Sequence, residues 1–240
     1  MTIIYEPKGK ALEYSPLAIN LYNGCDHACK YCYCPGIFRK TLENWSKESA
    51  PRKNILAQLE KSAAKYANDP REILFSFTSD PYQNDTAAKL TREALLICEK
   101  HNLRCQVLTK NGMAATKDFD IIKRNDWKFG STIIFKSESL REEWEPGAPS
   151  IESRIEAVKI AHSMGIYTWV SIEPVVDAGE AISVIKELKP YVSFWKVGKI
   201  NHFPTVEKII DWHKFLVDAE SALAGSSFYI KKDLEKFRVK

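Results

Sequence analysis

Short apolar runs alternate with amphipathic stretches along most of this chain. Runs rich in β-branched and aromatic residues predict strands, and apolar residues spaced three or four apart predict helices. The predicted strands lie at about 17–22, 72–78, 104–109, 128–135, 167–173 and 193–199. The predicted helices lie at about 51–66, 86–101, 116–124, 150–164, 178–188 and 205–222. Within the segment at about 226–240, the run Ser227-Phe228-Tyr229-Ile230 predicts an extra edge strand.

The order of these elements predicts an α/β fold. Asp85 or Thr86 can cap the second helix and Ser150 the fourth, and Gly165 follows the fourth helix. Repeated strand–helix units imply parallel strands joined by right-handed crossovers. Six units are too few for an eight-stranded barrel. We therefore predict a partial, TIM-like (β/α)6 barrel, with an open doubly wound sheet as the alternative.

The predicted barrel occupies most of a single domain that spans residues 1–240. Its core lies at about 17–200, and about 201–240 add a C-terminal helix and the edge strand. Strand alternation places Trp169, Ser171 and Glu173 toward the interior and Val170 and Ile172 toward the helices. The same alternation places Ser76, Thr78 and Asp80 inward, and also Gln106, Leu108 and Lys110. These interior faces are more polar than a packed core needs.

Composition and charge place few limits on function. Apolar residues make up 45% and charged residues 28% of the 240 residues, which is ordinary for a globular protein. No apolar run approaches the roughly 18 residues of a membrane span, and the first residues do not resemble a signal peptide. We therefore expect a cytoplasmic protein with no membrane partner. The net charge of +4 permits a nucleic-acid partner without arguing for one.

Four of the six cysteines fall within ten residues, at Cys25, Cys29, Cys32 and Cys34. In a reducing compartment such a cluster indicates metal rather than disulfides. The spacing C-x-x-x-C-x-x-C suits an iron–sulfur cluster in which three thiolates leave one iron open. A zinc site that adds His27 or Cys34 and a redox pair at Cys29 and Cys32 are the alternatives. Cys98 and Cys105 are expected in the core.

This cysteine spacing, in a loop after the first strand and with Tyr31 before the third cysteine, resembles the signature of the radical S-adenosylmethionine (SAM) superfamily. More narrowly, the chain resembles the spore photoproduct lyase-like (DNA repair photolyase-like) branch. The motifs that carry this resemblance are Gly24-Cys25 to Tyr33, Thr78-Ser79-Asp80-Pro81-Tyr82-Gln83, Leu108-Thr109-Lys110, Arg154-Ile155-Glu156-Ala157 and Ser171-Ile172-Glu173-Pro174-Val175. They occur in the same order over about residues 17–200.

The resemblance implies a partial barrel of the radical SAM type and two cofactors. A [4Fe–4S] cluster would be bound by Cys25, Cys29 and Cys32, and SAM would bind its open iron through amino and carboxylate groups. Reductive cleavage of SAM would then give a 5′-deoxyadenosyl radical that abstracts a hydrogen atom from the substrate. An external donor such as flavodoxin or ferredoxin would supply the electron.

The matched motifs also imply SAM contacts. Ser79 and Asp80, with Thr78 beside them, would accept hydrogen bonds from the amino group, although Ser-Asp-Pro is also good turn chemistry. Lys110 would reach the carboxylate, with a surface lysine as the alternative. The remaining SAM candidates are Ser131 or Thr132 at the ribose, Arg154 in a SAM or structural role, and Tyr33 and Tyr82 near the pocket.

The substrate side is less defined by the sequence. Glu173, Lys196, Trp169 and Asn201 are candidates because they lie on or just past late strands, and Cys34 is a candidate redox-active thiol. Phe77 stands where the lyase is expected to have a hydrogen-donor cysteine, so we expect a different substrate. The hypotheses are an enzyme acting on a nucleic-acid base or nucleotide, an enzyme acting on a small metabolite or peptide, and a zinc or iron–sulfur binding module without catalysis.

Overall fold

The computed structural model describes residues 3–238, so the first and last two residues of the predicted domain lie outside the described part. Nine strands are formed within it: β1 (Leu17–Ile19), β2 (Tyr22–Asn23), β3 (Ala50–Pro51), β4 (Glu72–Phe75), β5 (Arg104–Thr109), β6 (Lys128–Thr132), β7 (Tyr167–Val175), β8 (Phe194–Lys199) and β9 (Phe228–Ile230). The helices are α1 (Cys34–Phe38), α2 (Leu42–Lys47), α3 (Ile55–Lys65), α4 (Asp85–Lys100), α5 (Gly112–Ala115), α6 (Phe119–Arg124), α7 (Glu138–Trp144), α8 (Ile151–Ser163), α9 (Ala178–Leu188), α10 (Pro204–Glu207), α11 (Trp212–Ala222) and α12 (Lys232–Glu235).

Seven of the strands form one parallel sheet in the order β1-β4-β5-β6-β7-β8-β9. Each strand of this sheet pairs with the strand of the same sheet that follows it in the chain, so the order never reverses as it does in a doubly wound sheet. The sheet curls into a partial barrel, which confirms the predicted fold class. The predicted edge strand is also present, as β9 parallel to β8.

The helices that connect the strands cover the outer face of the sheet. Val170 and Ile172 of β7 are fully buried in the hydrophobic core. Trp169, Ser171 and Glu173 share the other face, because all three contact Tyr14. The alternation predicted for this strand is therefore confirmed. Tyr14 follows a 3₁₀ turn at Gly9–Glu13 and enters the barrel interior from the N-terminal segment.

Three predicted strands are too long. The strand predicted at 128–135 ends at Thr132, and the other two end early for local reasons. The strand predicted at 17–22 is interrupted after Ile19, and β2 pairs antiparallel with β3 in a separate ribbon. The strand predicted at 72–78 ends at Phe75. There the N–H groups of Phe77 and Thr78 donate to Oδ1 of Asn20, at 2.8 and 3.0 Å. The Asn20 side chain thus accepts the hydrogen bonds that these two N–H groups would donate to a neighbouring strand if β4 were longer.

The C-terminal helix predicted at 205–222 is two helices, α10 and α11. Asp211 begins the second one by accepting a hydrogen bond from the Lys214 N–H, as an N-cap residue does. The structure also forms five helices that hydrophobic periodicity did not predict: α1, α2, α5, α7 and α12. Across residues 3–238, none of the helices combines the length and hydrophobicity needed to cross a bilayer.

Candidate active site

The cysteine loop follows β2 at the C-terminal end of the sheet. The Cys25 N–H donates to the Trp45 carbonyl at 3.3 Å, and the Cys32 N–H donates to the Cys29 carbonyl at 3.0 Å. Gly24 has φ +91°, and a Cβ there would lie 2.6 Å from the Trp45 carbonyl oxygen. Glycine is therefore required where the loop turns away from β2.

The thiols of this loop sit in unequal surroundings. Cys25 and Cys32 are partly exposed, whereas Cys29 and Cys34 are buried. Burial raises the pKa of Cys25, and burial also raises the pKa of Cys29 to about 12, an effect that Lys110 partly opposes. A hydrogen bond from Cys34 lowers the pKa of Cys32 to about 7 and raises the pKa of Cys34. Cys32 is the thiol of this pair that ionises first.

The arrangement of ligands bears on the zinc alternative. Among residues 3–238, no three His, Cys, Asp or Glu side chains converge closely enough to hold a single metal ion. A structural zinc ion needs four ligands around one point. In a cubane cluster each thiolate binds its own iron, so the thiols stand further apart. The described residues therefore give no support to a zinc site that uses His27 or Cys34.

A second segment, residues 143–149, holds the cysteine loop from outside. The Lys30 N–H donates to the Trp144 carbonyl at 2.8 Å, and the Gly147 N–H donates to the His27 carbonyl at 3.0 Å. The ring of Tyr31 stacks on Trp144 with centroids 6.5 Å apart. A Cβ at Gly147 would lie 2.2 Å from the Asp26 carbonyl oxygen, so only glycine allows this approach. We call residues 143–149 the clamp segment.

Glu145 of the clamp segment is fully buried and lies at the centre of a charge network. Its carboxylate accepts a hydrogen bond from the Tyr31 hydroxyl and one from Nη1 of Arg154 at 2.5 Å. Lys110 Nζ lies 3.8 Å from the same carboxylate. Burial raises the pKa of Glu145, but Arg154 and Lys110 outweigh it and leave the pKa below its ordinary value. An ionised Glu145 thus contacts the cysteine loop through Tyr31 and also contacts the two cations predicted for the site, Lys110 and Arg154.

Arg154 makes all of its contacts with protein groups. It is fully buried, and its guanidinium donates to the carbonyls of Pro149 at 2.9–3.0 Å and Thr132 at 3.3 Å. The SAM role and the structural role expected for Arg154 both stay predictions. Lys110 keeps a side chain 16% exposed and lies over the Tyr31 ring at 5.5 Å. It faces the cysteine loop, and its contact with the SAM carboxylate stays a prediction.

Asp80 joins the ends of two strands. Its carboxylate accepts hydrogen bonds from Thr109 Oγ1 at 2.6 Å, from the Lys110 N–H at 2.7 Å and from the Tyr82 N–H at 2.8 Å. Nδ1 of His27 lies 3.5 Å away. Asp80 therefore fixes Lys110 relative to the cysteine loop. Ser79 lies beside it, with Oγ 3.1 Å from Ser76 Oγ.

Several buried polar atoms around the loop have no hydrogen-bond partner within residues 3–238, among them His27 Nε2, Thr78 Oγ1 and Gln83 Nε2. Gln83 Oε1, in contrast, accepts from the Asp26 N–H at 2.7 Å and from Ser49 Oγ at 3.0 Å. Buried polar groups are normally paired. Partly exposed thiols beside unpaired donors fit a polar cofactor at this place.

The other predicted site residues lie at different places. Ser131 is fully buried and donates to the Thr109 carbonyl at 3.2 Å. Cys34 Sγ lies 3.9 Å from the Phe77 carbonyl oxygen. Glu173 bonds the Tyr14 hydroxyl at 2.5 Å and Lys231 Nζ at 2.7 Å inside the barrel. Lys196 does not join the cysteine loop, because its side chain faces the N-terminal end of the sheet.

The remaining candidates are placed as follows. Tyr33 is exposed and donates to the Phe77 carbonyl at 2.7 Å, and Tyr82 is fully buried and bonds Asp118 at 3.0 Å. Among residues 3–238, the Asn201 side chain bonds only Lys199, through its carbonyl at 3.2 Å and its Nζ at 3.4 Å.

Sequence reasoning missed three residues: Tyr14, Glu145 and Lys231. Glu145 lies in the acidic run Glu142-Glu143-Trp144-Glu145, where a solvated surface is the ordinary expectation. Tyr14 precedes the first predicted strand, and Lys231 lies in a Lys-rich tail. No local pattern marks any of them, because each acquires its partner from a distant part of the chain.

The fold and this constellation define a class of protein in which a cysteine loop lies at the C-terminal end of a partial barrel. The sequence model of the radical SAM superfamily matches residues 19–189, well over half of the chain. The chain therefore belongs to the radical SAM superfamily, and it is an enzyme. The family implies SAM and an iron–sulfur cluster as cofactors. A binding module without catalysis is no longer a candidate.

A curated relative is similar to this chain in sequence, and two solved structures are similar to it in fold. The chain is 30% identical over 187 residues to the uncharacterized protein MJ0683 of Methanocaldococcus jannaschii, covering 76% of this chain and 70% of that one. Spore photoproduct lyase complexed with dinucleoside spore photoproduct superposes with a TM-score of 0.64 at 16% identity, covering 92% of this chain and 64% of the lyase. SuiB of Streptococcus suis bound to S-adenosylmethionine superposes with a TM-score of 0.64 at 13% identity, covering 92% of this chain and 52% of SuiB.

Proposed function

We propose that this enzyme cleaves SAM reductively at a [4Fe–4S] cluster ligated by Cys25, Cys29 and Cys32. The observation that carries the proposal is the position of the cysteine loop, which lies directly against Asp80 and Lys110 at the C-terminal end of the sheet. When bound, the cluster would supply the electron that converts SAM to methionine and a 5′-deoxyadenosyl radical able to take a hydrogen atom from the substrate.

The residues of this chain would bind and orient SAM. Lys110 would supply a cation for the SAM carboxylate. Its main-chain N–H donates to Asp80, and its ammonium lies 3.8 Å from Glu145. Thr78 Oγ1 is buried and unpaired among the described residues, so it can bond the amino group without losing a partner. Asp80 already accepts three protein hydrogen bonds. It would therefore contribute mainly negative charge and alignment.

The proposed substrate is a nucleic-acid base or a nucleotide-derived compound. The likeness to spore photoproduct lyase supports this class, although the chain spans only 64% of the lyase's length. A small metabolite or a peptide is the second candidate. Glu173 would accept a hydrogen bond from the substrate inside the barrel, and Cys34, close to Phe77, is the proposed hydrogen donor to the product radical.

The decisive experiment is anaerobic reconstitution of the full chain with iron and sulfide, followed by reduction with dithionite and addition of SAM. We expect iron and sulfide in cluster stoichiometry and formation of 5′-deoxyadenosine. Flavodoxin or ferredoxin should replace dithionite as the electron source. Protein that binds zinc instead, or that binds iron without cleaving SAM, would contradict the proposal.

The substrate class needs its own experiment. Deuterated oligonucleotides, nucleotides and peptides would be compared for transfer of deuterium into 5′-deoxyadenosine. Transfer from a nucleotide supports the first class, and transfer only from a peptide supports the second. Because Phe77 replaces the expected thiol, we expect no reversal of spore photoproduct. Efficient reversal would show that the missing thiol does not matter.

A further inference from the structure

A cavity of about 310 Å³ opens at the N-terminal end of the sheet. Four of its lining residues are the first residues of their strands: Glu72, Lys128, Tyr167 and Phe194. In a parallel sheet this end is opposite the C-terminal end, where the cysteine loop and Lys110 lie. The cavity is thus separate from the site described above. Its volume is at the lower end of the roughly 300–1,000 Å³ of small-molecule pockets.

Lys196 forms part of the deep end of the cavity. Its side chain is 8% exposed, and Nζ donates to the carbonyl oxygens of Glu13 at 3.1 Å and Tyr14 at 2.6 Å. An ammonium has three donors, so one N–H is left for a ligand. Burial lowers the pKa of Lys196 to about 8, which agrees with a cation that has no carboxylate of its own.

Gln106 lies next to Lys196. Its Nε2 donates to the same Tyr14 carbonyl oxygen at 3.4 Å and to Glu72 Oε2 at 3.3 Å. Because both side chains bond one oxygen atom, their polar ends are adjacent. The Gln106 amide oxygen accepts no hydrogen bond from any donor in residues 3–238. The deep end therefore presents one free donor beside one free acceptor.

Aromatic rings form the walls of the cavity. Tyr167 is 39% exposed at the mouth, and Trp169 is buried further in. Lys196 Nζ lies 5.3 Å from the Trp169 ring. Gly130 makes room for this indole, since a Cβ there would lie 2.3 Å from Trp169 Cε2. Aromatic rings of this kind stack on planar ligands, and the stacking does not depend on which base supplies the planar face.

We propose that this cavity binds a planar heterocycle whose edge carries adjacent C=O and N–H groups, such as a free pyrimidine or purine base. The free N–H of Lys196 donates to the ring carbonyl, and the Gln106 amide oxygen accepts from the ring N–H. The rings of Tyr167 and Trp169 hold the plane. Binding requires neither SAM nor a cluster, so it stands apart from the proposed radical chemistry.

The site is also coupled to the barrel interior. The Tyr14 carbonyl bonds Lys196, and the Tyr14 hydroxyl bonds Ser171 at 2.9 Å and Glu173 at 2.5 Å. Tyr14 therefore connects the cavity to Glu173, the carboxylate predicted to contact the substrate. A base bound in the cavity would contact Lys196 and Gln106, which both donate to the Tyr14 carbonyl.

The test is isothermal titration of the full-length protein with uracil and hypoxanthine, with 1,3-dimethyluracil and benzoate as comparison ligands. We expect saturable binding of at least one base. Dimethyluracil, which lacks the N–H groups, should bind about tenfold more weakly, the effect of one lost hydrogen bond. Lys196→Met and Gln106→Leu should each weaken base binding by a similar factor.

Lys199→Met is the matched control, because Lys199 is an equally buried lysine of β8 that pairs with Glu207 outside the cavity. It should leave base binding unchanged, and thermal melting would show whether each variant is folded. Four outcomes overturn the proposal: neither base binds, dimethyluracil binds as well as uracil, benzoate binds more tightly than either base, or folded Lys196→Met keeps normal affinity.

Discussion

The two ends of the seven-stranded sheet both bury charged side chains, but they satisfy those charges differently. At the C-terminal end, Glu145 and Arg154 are fully buried and pair directly. At the N-terminal end, Lys196 donates to main-chain carbonyls, and no carboxylate within residues 3–238 lies at ion-pair distance from it. The first arrangement fixes a loop in place. The second arrangement leaves one N–H of Lys196 free to donate a hydrogen bond into the cavity.

The difference follows from where the charges reside in the chain. Glu145 belongs to the clamp segment, and Arg154 to the first turn of α8, so a loop and a helix can adjust until they meet. Lys196 stands within β8, whose register with β7 is fixed by main-chain pairing of Lys196 with Ser171. Its position cannot shift toward a distant carboxylate. The buried ion pair at the C-terminal end of the sheet therefore indicates that a loop is fixed there. The buried lysine at the N-terminal end indicates a contact with a ligand.

The largest expected effect is at the cysteine loop. Cys29→Ala should remove one cluster ligand, so iron and sulfide content should fall sharply and SAM cleavage should drop to background. The measurements are metal analysis and 5′-deoxyadenosine formation. Cys98→Ala, a fully buried cysteine of α4, is the control and should keep both. A Cys29→Ala protein that retains its iron and its SAM cleavage would remove the basis for assigning the two ends different roles.

Next in size is the clamp segment. Glu145→Gln should lower the free energy of unfolding by about 3–5 kcal/mol, because it leaves the Arg154 charge buried without its partner. Urea denaturation would measure the loss. Glu143→Gln, which breaks only the exposed contact with Lys30, should cost at most about 1 kcal/mol. Equal losses in the two variants would show that the buried pair does not stabilise the loop.

The N-terminal end should show a pH effect. The pKa of Lys196 is lowered from 10.5 to about 8, so between these values the unfolded chain binds more protons than the folded protein. The free energy of unfolding of the wild type, relative to Lys196→Met, should therefore rise from pH 8 to pH 10.5 by on the order of 3 kcal/mol. Below pH 8 the difference should be flat.

Denaturation of both proteins across this pH range gives the difference directly. A wild-type-minus-variant difference that does not change with pH would mean that Lys196 is as well solvated as a surface lysine. The contrast between the two ends would then lose its main support.

The smallest expected effect concerns the wall of the cavity. Gly130→Ala should cost about 1–3 kcal/mol, as overpacking does, because the added Cβ would meet the Trp169 indole at 2.3 Å. Gly36→Ala in α1 is the control, since a Cβ there has no heavy atom within 4 Å. Thermal melting would compare them. If Gly130→Ala proved as stable as the wild type, the indole would not be fixed against β6.

The sequence predicted the fold better than the site. The six main strands follow from apolar runs, and the strand order follows from the repeated units. The ends of strands were less predictable. In β4, for example, the Asn20 side chain accepts hydrogen bonds from the N–H groups of Phe77 and Thr78, which would otherwise have extended the strand. In the site, the cysteine spacing and the motif around Asp80 were readable because they are local in sequence. The assignment of their roles remains a prediction.

The sequence by itself determined the class of protein, since a three-cysteine loop after the first of several strand–helix units needs no long-range information. Only the tertiary structure decided that Glu145 joins Tyr31 to Arg154, that Tyr14 reaches Glu173, and that Lys196 faces away from the cysteine loop. These contacts join residues far apart in sequence. Hydrophobic periodicity records which face of an element is buried, but not which distant charge will meet it there.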